Sequence, residues 1–390
     1  MEFRIASERG RSQIEDLWAY CFEPAEHPFF QWYFSNCFRS ENTLAGYEDN
    51  SLAACVHLNP YRLFLRERTI PVSYIVGLAT SPEARRGGVA GHLLKAALTE
   101  MRRRKHYFTI LMPSRAGFYY PFGWELCYHQ LTYSLNLEEL RGLTSGEGRF
   151  SMITAPDQWE LLQSVYEQFM AGRHGFSIRE EAEWRRLVAA HLAEKGYISV
   201  LQRDGSAAAY VFYQLRDGKI LVGDMSYSSA QAQRSILNFF YNHRSQASAV
   251  EFNTPFDDNL HLSLPNPKEG VAVYPFMAGR VVDVAQGLEA LGYAGDIQAE
   301  LTIAVADQLA EWNNGTFAVA VESGQAKVRL VDGDNADFSC TIGGLSQLVF
   351  GRLSVQELIA GGKLTGKDAS QTALLAQLFP KRENYINEYF

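Results

Sequence analysis

Hydrophobic positions along the 390-residue chain switch between two periods, and the switches mark out strands and helices. A short strand pattern at 3–5 opens the chain. Ile14, Leu17, Trp18 and Cys21 then recur at helical spacing. Beyond two prolines, Phe30, Tyr33 and Phe34 make a second helical stripe. Strand patterns follow near 43–47, 52–58, 62–67 and 70–80. Leu93, Leu94, Ala97, Leu98 and Met101 predict an amphipathic helix to about residue 104, and 107–112 reads as a buried strand.

The same grammar returns later. Strand patterns at 197–202, 207–215 and 219–227 are joined by Asp204-Gly205 and Asp217-Gly218 turns. A helix over 230–242 and a strand at 249–253 complete the set. This reproduces residues 43–113 element for element, as an internal duplication would. From about Arg280 the pattern changes. A short helix opens at 281–288, with strands at 299–305, 315–323, 326–330 and 338–342. Helices follow at 345–350, continuing through 354–360, and at 369–378. The chain ends on Tyr389 and Phe390, two aromatics expected to dock rather than fray.

Length predicts two or three domains. With 47% hydrophobic and 21% charged residues, the composition is that of a soluble globular protein. No apolar run approaches a membrane span of about 20 residues. The start, Met1-Glu2-Phe3-Arg4-Ile5, lacks a signal-peptide pattern, so the expected location is cytoplasmic. The five cysteines (Cys21, Cys37, Cys55, Cys127, Cys340) have no metal-ligand spacing, and no metal is expected. A net charge of −8 argues against a nucleic-acid partner.

One segment carries recognisable chemistry. Ile75-Val76-Gly77-Leu78-Ala79-Thr80 is a strand, Ser81-Pro82-Glu83-Ala84 a turn, and Arg85-Arg86-Gly87-Gly88-Val89-Ala90-Gly91 leads into the helix of Leu93. Helix-initial amides lack intrahelical acceptors and sit at the positive end of the dipole. Glycines let the backbone close on a phosphate, and arginines add charge-assisted bonds. A P-loop would need Lys-Ser/Thr where Val89-Ala90 stand, and the G-x-G-x-x-G spacing is absent. In the duplicate, the corresponding turn Ser226-Tyr227-Ser228-Ser229-Ala230 has neither glycine nor arginine. That repeat reads as degenerate.

Arg85-x-x-Gly88-x-Ala90 after a strand resembles the coenzyme A pyrophosphate loop of GNAT acetyltransferases. The order of cradle-bearing repeat, degenerate repeat and third unit resembles the Eis (enhanced intracellular survival) family over essentially the whole chain. The third unit contains "VVDVAQGLEAL" and "DFSCTIGGLSQLVFGRLSVQELI". The resemblance implies an α/β (α+β) fold of tandem GNAT domains, the second degenerate, followed by a sterol-carrier-protein-like domain. The corresponding spans are 1–135, 136–279 and 280–390. It also implies an N-acetyltransferase that moves an acetyl group from acetyl-CoA to a primary amine, aminoglycoside-like or lysine, and a homohexameric assembly without nucleic-acid or membrane partners.

Residue by residue, the resemblance implies a cofactor site of Leu78, Ala79, Thr80, Arg85, Arg86, Gly87, Gly88, Val89, Ala90 and Gly91, joined by Ser114 and Arg115. The family's tyrosine falls on Tyr119 of Gly117-Phe118-Tyr119-Tyr120-Pro121-Phe122-Gly123, with Tyr120 as the neighbouring alternative. Tyr119 would be the proton donor to the leaving thiolate, and the terminal carboxylate of Phe390 the proton acceptor. An amine must lose its proton before it can attack, and the departing thiolate needs one. A phenol of pKa about 10 and a carboxylate of pKa about 3.5 suit those roles. Backbone amides at Leu78–Thr80 would receive the oxyanion. The 22–34 loop, with Glu23, Glu26 and His27, is a further candidate for the acceptor side. A non-catalytic acyl-CoA-binding or lipid-binding protein, working through its third domain, is the alternative reading.

Overall fold

The computed structural model describes residues 1–85, 87–143, 146–333, 335–366 and 368–389. The first repeat runs β1 (Glu2–Ile5), α1 (Arg11–Cys21), α2 (Pro28–Asn36), β2 (Thr43–Glu48), β3 (Ser51–Leu65), β4 (Arg68–Thr80), α3 (Val89–Arg103), β5 (Phe108–Leu111), α4 (Ala116–Tyr119) and β6 (Glu125–Asn136). The second runs β7 (Arg149–Ile153), α5 (Glu160–Met170), α6 (Glu181–Ala193), β8 (Tyr197–Arg203), β9 (Ser206–Arg216), β10 (Lys219–Tyr227), α7 (Ala230–Tyr241), β11 (Ala249–Pro255) and β12 (Val271–Val281). Apart from α4, the two lists match one for one. The internal duplication therefore covers the N-terminal strand and helix pair as well as the core read from the sequence.

The two repeats share one sheet. Among the described residues it has twelve strands, in the order β1-β2-β3-β4-β5-β12-β6-β11-β10-β9-β8-β7. The last strands are exchanged: β12 of the second repeat pairs with β5 of the first, and β6 of the first pairs with β11 of the second. β12 and β6 then pair with each other across the middle. Each repeat is thus completed by the other.

The sequence pattern divides β3 in two at Asn59-Pro60, but the structure keeps one strand from Ser51 to Leu65. Its partner β2 reaches only His57, and the next pairing on that edge, with residues 175–178, starts at Arg62, so residue 60 faces no ladder partner on that side. A proline without an N–H costs no ladder bond there. The true turn is Arg66-Glu67, with both φ angles positive.

The third unit comprises α8 (Val284–Ala290), β13 (Ala299–Ala306), β14 (Gly315–Glu322), β15 (Gln325–Val331), β16 (Phe338–Thr341), α9 (Ile342–Phe350), α10 (Val355–Ala360), β17 (Leu364–Gly366) and α11 (Ala369–Leu378). Its strands form a separate sheet, β15-β14-β13-β16-β17. All nine residues of α9 are buried, because this helix packs between its own sheet and strands β6 and β12 of the large one. No helix among the described residues is long and apolar enough to cross a membrane.

Candidate active site

β4 and β5 pair in parallel only from Val72–Phe108 to Ile75–Leu111. β5 stops there, whereas β4 continues to Thr80. The strands part, and a wedge opens between their C-terminal ends. On its other edge β4 carries a bulge: Cys55 faces Ala79 and His57 faces Val76, which sets Gly77 and Leu78 opposite Val56 alone. Gly77 has φ +61°, and a Cβ there would meet the Trp18 ring at 2.3 Å. Only glycine satisfies both demands.

The wedge is sandwiched. On one face, Val56, Leu58 and Ile75 pack with Leu93, Leu94 and Leu98 of α3. On the other, Cys55, Tyr74 and Val76 pack with Trp18, Tyr33 and Phe34 of α1 and α2. Alternation along the strands sorts these side chains to opposite faces.

The predicted cradle lies at the α3 end of the wedge. Gly88 is the N-cap of α3 at φ +74°, and among the described residues no side chain caps that helix. His92 is the first residue to bond back, to the Gly88 carbonyl at 3.1 Å. The amides of Val89, Ala90 and Gly91 are left without an intrahelical acceptor. Gly87 and Gly88 are exposed, so among the described residues nothing covers this end. These features fit a pyrophosphate. Arg85 turns aside, its Nε donating to the Thr80 carbonyl at 3.2 Å and its guanidinium facing the Tyr20 ring. Ser114 and Arg115 are exposed where β5 gives way to α4. Arg86 and Phe390 lie outside the described residues.

Leu78 of the bulge, Val89 of the cradle and Tyr119 of α4 pack on one apolar cluster. The structure therefore brings together three pieces that are far apart in sequence. Burial pushes the Tyr119 phenol up to about 12, so it stays protonated, whereas Tyr120 is exposed. The turn after Tyr119 is clamped from elsewhere. Arg280 at the end of β12 donates to the Phe122 carbonyl and pairs with Asp307 of the third unit at 2.6 Å, with both charges buried.

The chain's final segment is threaded through the middle of the molecule, and residues 384–388 are buried. Gln130 of β6 donates to the Ile386 carbonyl at 2.8 Å, and Tyr74 of β4 to the Glu388 carbonyl at 3.1 Å. Arg179 pairs with both Glu388 and Asp224 of β10, each at 2.7 Å. The terminal segment thus reaches β4 on the face of the sheet opposite α3.

The second repeat keeps the frame and closes the cradle. β10 bulges at Gly223 and parallels β11 only over three residue pairs, as β4 does with β5 over four. Asn387 donates to the Gly223 carbonyl at 2.9 Å, so the terminal segment occupies the bulge. Ser229 caps α7 by accepting from the Ala232 amide. The Asp258 carboxylate beside that helix start accepts from Tyr227 and Gln233. A carboxylate stands where a phosphate would need a cation.

The 22–34 loop is largely engaged. Glu23 accepts from the Trp18 indole at 3.0 Å, and His27 caps α2 through the Phe29 amide. Glu26 is exposed. Sequence reasoning missed Arg179, Asp224, Glu388, Arg280 and Asp307, whose partners are remote along the chain. The shared bulge did leave a trace, Ile75-Val76-Gly77 against Leu221-Val222-Gly223.

Comparison with known proteins assigns each unit. Acetyltransferase (GNAT) domain models match residues 2–127 and 175–281, and a sterol carrier protein domain model matches 284–387. The chain is a tandem-GNAT N-acetyltransferase of Eis-like architecture. An uncharacterized N-acetyltransferase of Streptomyces avermitilis is 22% identical over 314 residues, 76% of each chain. Among solved structures, a GCN5-related N-acetyltransferase from Anabaena variabilis superposes with TM-score 0.86 at 21% identity, covering both chains completely. Eis1 from Mycobacterium abscessus does so with TM-score 0.78 at 19% identity, again over 100% of both. At these identities the likeness is one of fold. The GNAT fold of this N-acetyltransferase implies acetyl-CoA as cosubstrate.

Proposed function

We propose that the first repeat catalyses direct transfer of an acetyl group from acetyl-CoA to a primary amine, with Tyr119 as acid and the carboxylate of Phe390 as base. The observation that carries this reading is the wedge between β4 and β5. It opens from the uncapped N-terminus of α3 on one face toward the terminal segment on the other. Acetyl-CoA supplies the activated thioester. The amides of Val89, Ala90 and Gly91 hold the pyrophosphate, with Arg86 adding charge. Ser114 and Arg115 flank the nucleotide or pantetheine portion. The bulge at Leu78–Thr80 offers amides to the carbonyl oxygen. The Phe390 carboxylate takes the amine proton as the C–N bond forms, and Tyr119 gives its proton to sulfur as the C–S bond breaks.

The spans 1–135, 136–279 and 280–390 then act as catalytic repeat, support for the terminal segment, and clamp on the Tyr119 turn. A homohexamer and a cytoplasmic location belong to the same proposal. Light scattering tests the first of these; a monomer across all concentrations contradicts it. The mechanism is tested by a coenzyme A release assay across an amine panel, with a Phe390 deletion and an uncleaved C-terminal extension beside the native chain. Both changes move the carboxylate by at least about 3.5 Å and should abolish turnover without loss of acetyl-CoA binding. Full activity with the extension sends the search for the base to Glu26.

A further inference from the structure

A cavity of ≈ 620 Å³ lies between α2 of the first repeat and α6 of the second. Its walls include Arg39, Arg62, Arg186, Asn36, Asn59 and Tyr61. On β3, His57, Asn59 and Tyr61 share the face covered by α1 and α2, opposite the cofactor cradle. Tyr61 packs edge-on against Tyr74 at 5.3 Å, and the Tyr74 hydroxyl donates to the Glu388 carbonyl. One pair of aromatic rings therefore separates the cavity from the terminal segment.

The charge inside it is out of balance. Arg62 is paired with Glu180 at the rim. Glu183, which also lines the cavity, accepts from the Glu180 amide in the capping box of α6. Arg186 has no carboxylate partner among the described residues. Its polar contacts are the Cys37 sulfur and the Tyr61 hydroxyl, both at 3.4 Å. Burial pushes the Cys37 thiol up, so it brings no compensating charge. Arg186 is half-buried, and without an anion its planar fork is open to a carboxylate or phosphate, whose geometry it matches.

We propose that this cavity is the acceptor's second contact point, and that the acceptor is an amine that itself carries a carboxylate or phosphate, held by Arg186. This rests on the acetyltransferase reading above. It sets aside a polycationic acceptor, which the engaged Glu23 also does little to support.

Matched pairs of amines test it in the coenzyme A release assay: ethanolamine against O-phosphoethanolamine, phenethylamine against phenylalanine, with spermidine as the polycation. The anionic member of at least one pair should show a KM lower by tenfold or more, and the pair that does so names the anion. Arg186→Gln should raise that KM about tenfold with kcat and the neutral amine's KM nearly unchanged. Arg186→Lys should recover part of the loss. A preference for spermidine, or an equal KM rise for charged and neutral amines, overturns the proposal. If no amine is acetylated, the enzymatic reading fails, and the cavity is judged on its own. Calorimetry should then show phenylalanine or O-phosphoethanolamine binding the native chain and not R186Q; no binding to the native chain overturns it. Melting temperatures of both variants report whether Arg186 serves only to join α2 to α6.

Discussion

Arg179 and Glu388 form an ion pair at 2.7 Å with side chains 1% and 2% exposed, although 209 residues separate them. The same guanidinium holds Asp224 at 2.7 Å and the Asn387 carbonyl at 3.3 Å. Breaking such a pair strands a buried charge at a cost of about 3–5 kcal/mol. Arg179→Met should therefore lower the melting temperature. Glu388→Gln keeps the shape and should be milder. In both, kcat should fall while acetyl-CoA affinity holds, because the cradle is on the opposite face of the sheet. Equal losses in kcat and acetyl-CoA affinity would mean general unfolding.

Tyr119→Phe removes one proton donor and little else. A drop of about 10²–10⁴ in kcat is expected, with acetyl-CoA binding unchanged by calorimetry. Tyr120→Phe, at the surface, should be silent. The reverse result would move the acid by one residue.

The proposed cradle depends on Gly88. Its φ of +74° costs a β-branched residue about 1–2 kcal/mol, so Gly88→Val should weaken coenzyme A binding by both strain and crowding. Gly88→Asn tolerates that conformation and should bind better than the valine variant. Arg86→Ala should lose about 1.5–3 kcal/mol, the range for a charged hydrogen bond. Titration calorimetry reads all three.

Acid should destabilise the fold before its carboxylates titrate. Burial lowers His57 and His174 to about 3 each, and both bond as neutral rings, to Tyr33 and Asn384. In the unfolded chain they titrate near 6.5, so below that pH the unfolded state binds more protons. Their contribution is complete above about pH 6.5 and is lost as pH falls toward 3. Each should cost about 1.4 kcal/mol per pH unit in that window. Urea unfolding at pH 7, 6 and 5 measures it. A flat stability from pH 6.5 to 5 would contradict the neutral, buried assignment.

Local signals carried the element pattern and the duplication, and they located the helix start proposed as the cradle. Glycines, turn dipeptides and helical stripes are short-range features, and Gly87-Gly88 ahead of Leu93 led directly to the uncapped helix start. Pro60 misled because a proline's cost depends on whether a neighbouring strand needs its N–H, and that neighbour ends at His57. The exchange of β6 and β12 left no mark, since either strand has the alternation to suit either partner. The buried charges were equally silent. Nothing near Arg179 in the sequence announces Asp224 or Glu388, whose meeting is a product of topology.

The traded strands bear on how this chain can change. A second repeat whose helix start is capped by its own Ser229 would ordinarily be free to decay or be deleted. Here its final strand is the neighbour of β5, so removing it would uncover the edge beside the wedge between β4 and β5. The first repeat cannot be cut out as a minimal enzyme either, because β6 would leave without its partner β11. Protease nicking of surface loops should give fragments that stay associated until denaturant separates them. Whatever its own chemistry, the second repeat is held in place by the strand it lends to the first.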